Sequence, residues 1–424
     1  MKLRKRAVVA AVVIGLLGVC VACVPKNNEA APKPENVEQE GVFVPVSVLK
    51  QINGGDNIEW AQEFPDQYLS YLSGIGELEP SSLPESDLDD LHSHAALRVS
   101  MDKYGAQNGQ ISYLERSGAN CLSCKSSYFN ELYDELGMEA YNVPYSEFAG
   151  KYAYWDCLAC HEDKPGGPLR AKLVAGTTLL RNFPTALSER DLVCAQCHNS
   201  LTPYSRKAMS DQAIAEGKTL NDIDPYRYGV DADALLKAEL EDGIKLAVDE
   251  ESGVQTFYLP VSDIEILQGS VHQSMGLSCV DCHMPTMQNA SGGNFTSHNA
   301  SQGPLENTAA LEKCLTCHKN QGIENVDQMR TWARDKQAAL GMQVTALSEK
   351  LDELKSLIAN GAANGADDAV LDQARDGYLH ARLYLDYVQG AVHTPGQKIA
   401  HNPEAMRDYI ERGIRLTEEA IALF

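Results

Sequence analysis

Ten of the chain's 12 cysteines fall into five C-x-x-C pairs, at positions 121/124, 157/160, 194/197, 279/282 and 314/317. The other two, Cys20 and Cys23, lie near the N-terminus. Four pairs are followed at once by histidine: CLACH (157–161), CAQCH (194–198), CVDCH (279–283) and CLTCH (314–318). C-x-x-C-H is the attachment motif of c-type haem. Two thiols three residues apart project from one side of a helical turn. There they can form thioethers to the two vinyl groups of one haem, and the adjacent imidazole reaches the iron. Cys157, Cys160, Cys194, Cys197, Cys279, Cys282, Cys314 and Cys317 are thus expected to anchor haem, with His161, His198, His283 and His318 as proximal ligands. A zinc ribbon needs only cysteine pairs and leaves four histidines unexplained.

The fifth pair reads CLSCK, with Lys125 where the histidine would stand. In isolation this could be half a zinc site or a disulfide. Beside four haem motifs it predicts a fifth haem on Cys121 and Cys124, ligated by the Lys125 amine. Lysine binds iron only as the neutral amine, so the metal must depress its pKa. The chain has 11 histidines; removing four proximal ones leaves His92, His94, His272, His298, His380, His393 and His401. Bis-imidazole ligation of four haems uses four of these and leaves the lysine haem an open iron position. His272 precedes Cys279 by seven residues, His298 sits in the polar loop GGNFTSHNAS, and His401 opens HNPEAM at a helix start. These three are the distal candidates. His92 and His94 precede CLSCK, and His380 lies in a helical stretch and reads as structural.

The elements that must position these groups are helices and loops. Leu347, Leu351, Leu354 and Ile358, spaced 4, 3 and 4, predict a long helix over 325–359. NGAANGADD (360–368) predicts a turn with an aspartate opening the next helix, which runs to about Gln389. PGQK (395–398) breaks the pattern, and residues 402–424 form the last helix. Segment 200–270 has no haem motif, has an acidic middle (DADALLKAELEDG), and is expected to build a pocket wall. The fold class expected is mainly α, a multihaem cytochrome c with a haem-packed core and long C-terminal helices. No phosphate loop, hydrolase elbow or flavin signature occurs.

At 424 residues, 44% hydrophobic and 22% charged, the chain is neither disordered, fibrous nor a polytopic membrane protein. A formal charge of −23 argues against nucleic acid, whose phosphates need a basic face. The start MKLRKR followed by the apolar run of residues 7–24 describes an export signal. Cys23, after Ala22, is the favoured lipid-modified cysteine, with Cys20 the alternative; cleavage without lipid and an uncleaved anchor also remain. Every version places the protein outside the cytoplasmic membrane, on its outer face or in the periplasm. The expected organisation is a signal, lipoprotein or anchor segment (1–24), a flexible linker (25–41), a pentahaem catalytic domain (42–320) and a helical C-terminal region (321–424).

One C-x-x-C-K followed by four C-x-x-C-H, with a long helical C-terminus, resembles the pentahaem cytochrome c nitrite reductases. Those enzymes make ammonium from nitrite by six-electron reduction on a lysine-ligated haem. The resemblance covers roughly residues 60–424, with local matches at VCAQCH (193–198), CVDCHMP (279–285) and HNPE (401–404). It implies five covalent haems c, a homodimer through the C-terminal helices, and a membrane quinol-oxidising cytochrome or similar donor. By family position His94 resembles the distal ligand of the third haem, His298 of the second, His401 of the fourth and His272 of the fifth.

The departures lie in the substrate pocket. The family places a calcium-binding Glu and then a catalytic Tyr after the third haem's histidine; here His198 is followed by Asn199, Ser200 and Leu201. Where the family has a Lys-x-Gln-His run, this chain reads Tyr258, Leu259, Pro260, Val261, so the catalytic histidine is Val261 and the calcium ligands are missing. Calcium is therefore doubtful. Tyr204 and Tyr258 are the candidates to restore a hydroxyl, though Tyr258 also suits simple packing. The anion-binding arginine that precedes C-x-x-C-K in the family is either Arg98 or Arg116. Three functions follow. The chain could be an ammonia-forming nitrite reductase with a rebuilt pocket. It could reduce another small oxyanion or N-oxide acceptor, such as hydroxylamine, sulfite or an organic N- or S-oxide. Or it could be a non-enzymatic electron-transfer cytochrome.

Overall fold

The helices begin where the sequence supplies caps. Asp231 accepts from the Ala234 N–H at 2.9 Å and opens Ala232–Glu241. Asn307 accepts from Ala309 and Ala310 and opens Thr308–His318. Asn325 opens α1 (Val326–Ala363), Asp367 opens α2 (Asp368–Gln389), and Asn402 with Pro403 opens α3 (Pro403–Ile421). Each cap satisfies a first-turn amide that has no intrahelical partner. This is a computed structural model that describes residues 58–73, 123–124, 128–144, 157–162, 164–201, 211–257, 259, 261–390 and 394–424. All of them belong to one unit, Val42–Phe424.

The fold is mainly α. Among the described residues the strands form only two short antiparallel hairpins, Ala247–Val248 with Gln255–Thr256 and Thr286–Gln288 with Asn294–Thr296. In the second, Met287 faces Phe295.

The core follows the periodicity of α1. Leu340, Val344, Leu347, Leu351, Leu354 and Ile358 are buried along one stripe, against Leu371, Ala374, Tyr378 and Leu385 of α2 and Met406 and Ile410 of α3. Burying each leucine fully contributes roughly 2 kcal/mol. Gly413 of α3 lets the helices approach, because a Cβ there would lie 2.7 Å from the Leu347 side chain. The tyrosines carry this core to the 230–241 segment: Tyr387 donates to the Val230 carbonyl at 2.7 Å, and the Ala232 N–H donates to Tyr409 at 3.4 Å.

α1 extends to Ala363, past the expected end at 359. Ala362 and Ala363 favour helix, and Gly361 is held against Phe424 and Leu371. The turn falls at the second Asn-Gly, where Gly365 has φ +75°. At PGQK the chain turns through Gly396 (φ +81°) into a short 3-10 helix, Gln397–Ala400.

Candidate functional site

Each C-x-x-C-H segment described is one helical turn. The His161 N–H donates to the Cys157 carbonyl at 3.0 Å and the His198 N–H to the Cys194 carbonyl at 2.8 Å. Cys279–His283 is a helix of its own, and Cys314–His318 ends Thr308–His318. Thiols and imidazole thus leave one turn together, as thioether attachment requires.

Polar residues inside the motifs clip these turns to one another. Gln196 of CAQCH accepts from the Lys172 and Leu173 N–H groups at 3.1 and 3.0 Å and donates to the Ala159 carbonyl of CLACH at 2.8 Å. Asp281 of CVDCH accepts from the Ser278 N–H and hydroxyl at 2.9 and 2.7 Å. It also pairs with Arg190, ahead of CAQCH, and with Lys313, ahead of CLTCH, at 2.9 and 2.5 Å. Burial opposes its ionisation, but Lys313 and Ser278 outweigh it and hold the carboxyl below its usual range. Asp191 accepts from the Cys279 N–H at 3.1 Å. Cys197 Sγ lies 2.9 Å from the Cys124 carbonyl and so brings the end of CLSC to CAQCH.

Three imidazole pairs stand out. His161 and His298 have ring centroids 6.2 Å apart and are inclined by 25°. His283 and His401 are 6.2 Å apart, and His272 and His318 6.4 Å. Two imidazoles bonded to opposite sides of one metal at about 2.0 Å each put their centroids roughly 6 Å apart. Direct ring contact would be closer.

In four of these rings the Nδ1 nitrogen has a hydrogen-bond partner. His161 Nδ1 lies 2.8 Å from the Gly167 carbonyl, His272 Nδ1 2.8 Å from that of Ala400 and His298 Nδ1 2.9 Å from that of Thr296. A carbonyl only accepts, so Nδ1 carries the proton and Nε2 keeps its lone pair for a metal. His318 Nδ1 lies 3.2 Å from Gln321 Oε1. Burial lowers the pKa of His283 and His298, which favours the neutral, ligating form. The donor set fits iron bound at Nε2.

A buried carboxylate joins two of the sites. Asp263 Oδ2 accepts from His198 Nδ1 at 2.8 Å, while Oδ1 pairs with Lys398 at 2.7 Å and lies 3.6 Å from His401 Nδ1. Burial pushes the Asp263 carboxyl up, but Lys398 and the His198 hydrogen bond prevail and hold it well below the carboxylate range. The same bond holds His198 above its ordinary value despite burial.

After CAQCH the chain turns inward. Asn199, Ser200 and Leu201 are all buried. Asn199 Oδ1 accepts from the Leu201 N–H at 2.9 Å, and the Ser200 N–H donates to Glu265 at 2.7 Å. Burial raises the Glu265 carboxyl to about 7, although Ser200 and Tyr226, whose hydroxyl donates to it at 2.6 Å, favour its ionised form. Val261 is half-buried. His380 lies on α2 with Nδ1 3.1 Å from the Asp376 carbonyl.

Cys121, Lys125, His94, Arg98, Arg116, Tyr204 and Tyr258 lie outside the described residues, as do the signal and linker segments. Among the described residues no three His, Cys, Asp or Glu side chains cluster as a further metal site. No described helix is long and apolar enough to cross a membrane. Asp263, Glu265 and Lys398 were not singled out by the sequence. The one signal for the two acids is the alternation SDIEIL (262–267), in which they alternate with isoleucines; Lys398 has none.

Four C-x-x-C-H turns on a helical scaffold with paired imidazoles define a multihaem c-type cytochrome. Residues 91–424 match the cytochrome c552 family, and the chain belongs to it. A cytochrome c-552 of Desulfotalea psychrophila is 26% identical over 61% of this chain and 51% of its own length. The chain thus spans about half of that relative. A cytochrome c-552 of Maridesulfovibrio salexigens is 26% identical over 87% of this chain and 77% of its own. A cytochrome c nitrite reductase of Desulfovibrio desulfuricans, described with two calcium sites, has the same fold, with a TM-score of 0.64 at 18% identity over 86% of this chain and 84% of that one.

Proposed function

We propose that this protein is an exported oxidoreductase with five covalent haems c, four on C-x-x-C-H and one on CLSCK, that reduces nitrite to ammonium at the Lys125-ligated haem. The observation that carries the ligation is the set of three imidazole pairs at 6.2–6.4 Å. In this reading His161 with His298, His283 with His401, and His318 with His272 would each hold one haem iron, and His198 with His94 would hold another. Bound haem would supply one-electron transfer and, at the Lys125 site, the iron at which the substrate is reduced. The chain does the rest. Nδ1 donors fix the imidazoles, Lys125 ligates as its neutral amine, and Arg98 or Arg116 holds the anion by charge. Tyr204 or Tyr258 delivers protons from its hydroxyl. Electrons come from a membrane quinol-oxidising cytochrome or similar donor, and the C-terminal helices form a homodimer contact. The charged start and apolar run of residues 1–24 support export, with a lipid or helix anchor.

A second reading, reduction of hydroxylamine, sulfite or an organic N- or S-oxide, is favoured by one feature. Asn199, Ser200 and Leu201 are buried, so these three residues offer no side chain to a pocket.

Haem-loaded protein with reduced methyl viologen as donor and nitrite as acceptor tests both. Six electrons consumed per ammonium formed supports the first reading. Turnover only with another acceptor moves the assignment to the second. Turnover with none leaves electron transfer alone.

A further inference from the structure

We infer that Asp263 is a positioning residue shared by two haems, hydrogen-bonded to the imidazole of one (His198) and facing the imidazole of the next (His401) as a charge, with Lys398 locking the carboxylate between them. The inference rests on the ligation proposed above.

The geometry is specific. One carboxylate oxygen, Oδ2, takes the His198 Nδ1 proton at 2.8 Å. The other, Oδ1, faces Lys398 at 2.7 Å and His401 at 3.6 Å. The Lys398 side chain is 4% exposed and also reaches the Ser262 hydroxyl at 3.3 Å. Ser262 in turn donates to the Tyr387 carbonyl of α2. The backbone closes the unit: the Ile264 N–H donates to the His198 carbonyl at 3.2 Å, so the two chain segments cannot slide apart. His198 and His401 serve different irons, because His401 pairs with His283 and His198 belongs to a separate attachment turn.

A carboxylate that accepts from Nδ1–H, as at His198, makes the imidazole a stronger donor and favours the higher-charged metal; at His401, 3.6 Å away, its negative charge alone acts in the same direction. Lys398 acts in the opposite sense on the same two ligands. One ion pair therefore sets both potentials together. A pair with a purely structural role would affect stability without moving potentials in opposite directions when either partner is changed.

The test is a spectroelectrochemical redox titration, with electron paramagnetic resonance of the oxidised haems, on full-length haem-loaded protein. Asp263→Asn is expected to favour reduction of two haems by tenfold or more each, about 59 mV per tenfold for one electron. The haems of the His161/His298 and His272/His318 pairs should keep their potentials. Lys398→Met is expected to shift the same two haems the other way. Asp263→Asn protein with normal haem content and no shift, or a shift in one haem only, overturns the inference. If Asp263→Asn fails to fold, Lys398→Met decides alone: an unchanged pair of potentials overturns it. The wild-type protein tests the ligation separately. Fewer than five haems by mass, or no low-spin bis-imidazole signals, overturns the ligation and the inference with it.

Discussion

His272 Nδ1 donates to the carbonyl of Ala400, 2.8 Å away, one residue before His401. The four residues 398–401 therefore reach three histidines of the proposed ligand set. Lys398 reaches His198 through Asp263, Ala400 orients His272, and His401 faces His283. Gly396 delivers this segment. Its φ of +81° suits glycine, and a Cβ there would run into the Gln337 carbonyl of α1.

Gly396→Ala should displace residues 397–401. The left-handed backbone alone costs about 1–3 kcal/mol for a residue with a Cβ, and the clash adds to it. Calorimetry should show a lowered Tm. The spectra of the oxidised protein should lose the signals of the two sites served by His272 and His401 while that of His161 and His298 persists.

His298→Ala should remove one distal imidazole and leave the thioethers on Cys157 and Cys160. Haem content by mass should be unchanged while one low-spin signal converts to high-spin. His380→Ala is the control. Its imidazole is bound to its own helix, at the Asp376 carbonyl, so spectra should not change and stability should move by no more than about 0.5 kcal/mol.

Glu265 makes stability depend on pH. Burial raises its carboxyl from 4.5 to about 7. The folded state therefore binds this proton more tightly than the unfolded chain. Its contribution is complete below pH 4.5 and is lost as pH rises through 7. A difference of 7 − 4.5 = 2.5 pH units corresponds to roughly 3 kcal/mol at about 1.36 kcal/mol per unit. Glu265→Gln keeps an acceptor for Ser200 and Tyr226 and cannot ionise. Denaturant titrations followed by circular dichroism should show the variant gaining on wild type by about 3 kcal/mol between acidic and mildly alkaline pH. A pH-independent difference would mean that the carboxyl titrates alike in the folded and unfolded chain, against the upward shift that burial imposes.

Leu354 is fully buried where α1 meets the other two long helices. Leu354→Ala should cost about 2–5 kcal/mol by opening a cavity, read as a lower denaturation midpoint. The haem spectra should be unaffected, because Leu354 packs in the core cluster of the three long helices and not on a described C-x-x-C-H turn.

The attachment turns were legible in the sequence because their chemistry is local. Thiol, thiol and imidazole occupy one helical turn, and a turn is a property of neighbouring residues. The leucine stripe of α1 and the aspartate that opens α2, Asp367, are readable for the same reason. The end of α1 is less so, since NGAANGADD offers two Asn-Gly stops and the packing of Gly361 on Phe424 and Leu371 helps carry the helix through the first. Which imidazole faces which is not local at all. Single histidines carry no periodic signal, and His298 and His401 meet His161 and His283 only where the 286–296 hairpin and the 397–400 turn deliver them. Asp263, Lys398 and Glu265 look like ordinary surface charges in the sequence. The tertiary structure made them a buried network, because a charge can be held away from water only when its partners arrive from distant segments to satisfy it.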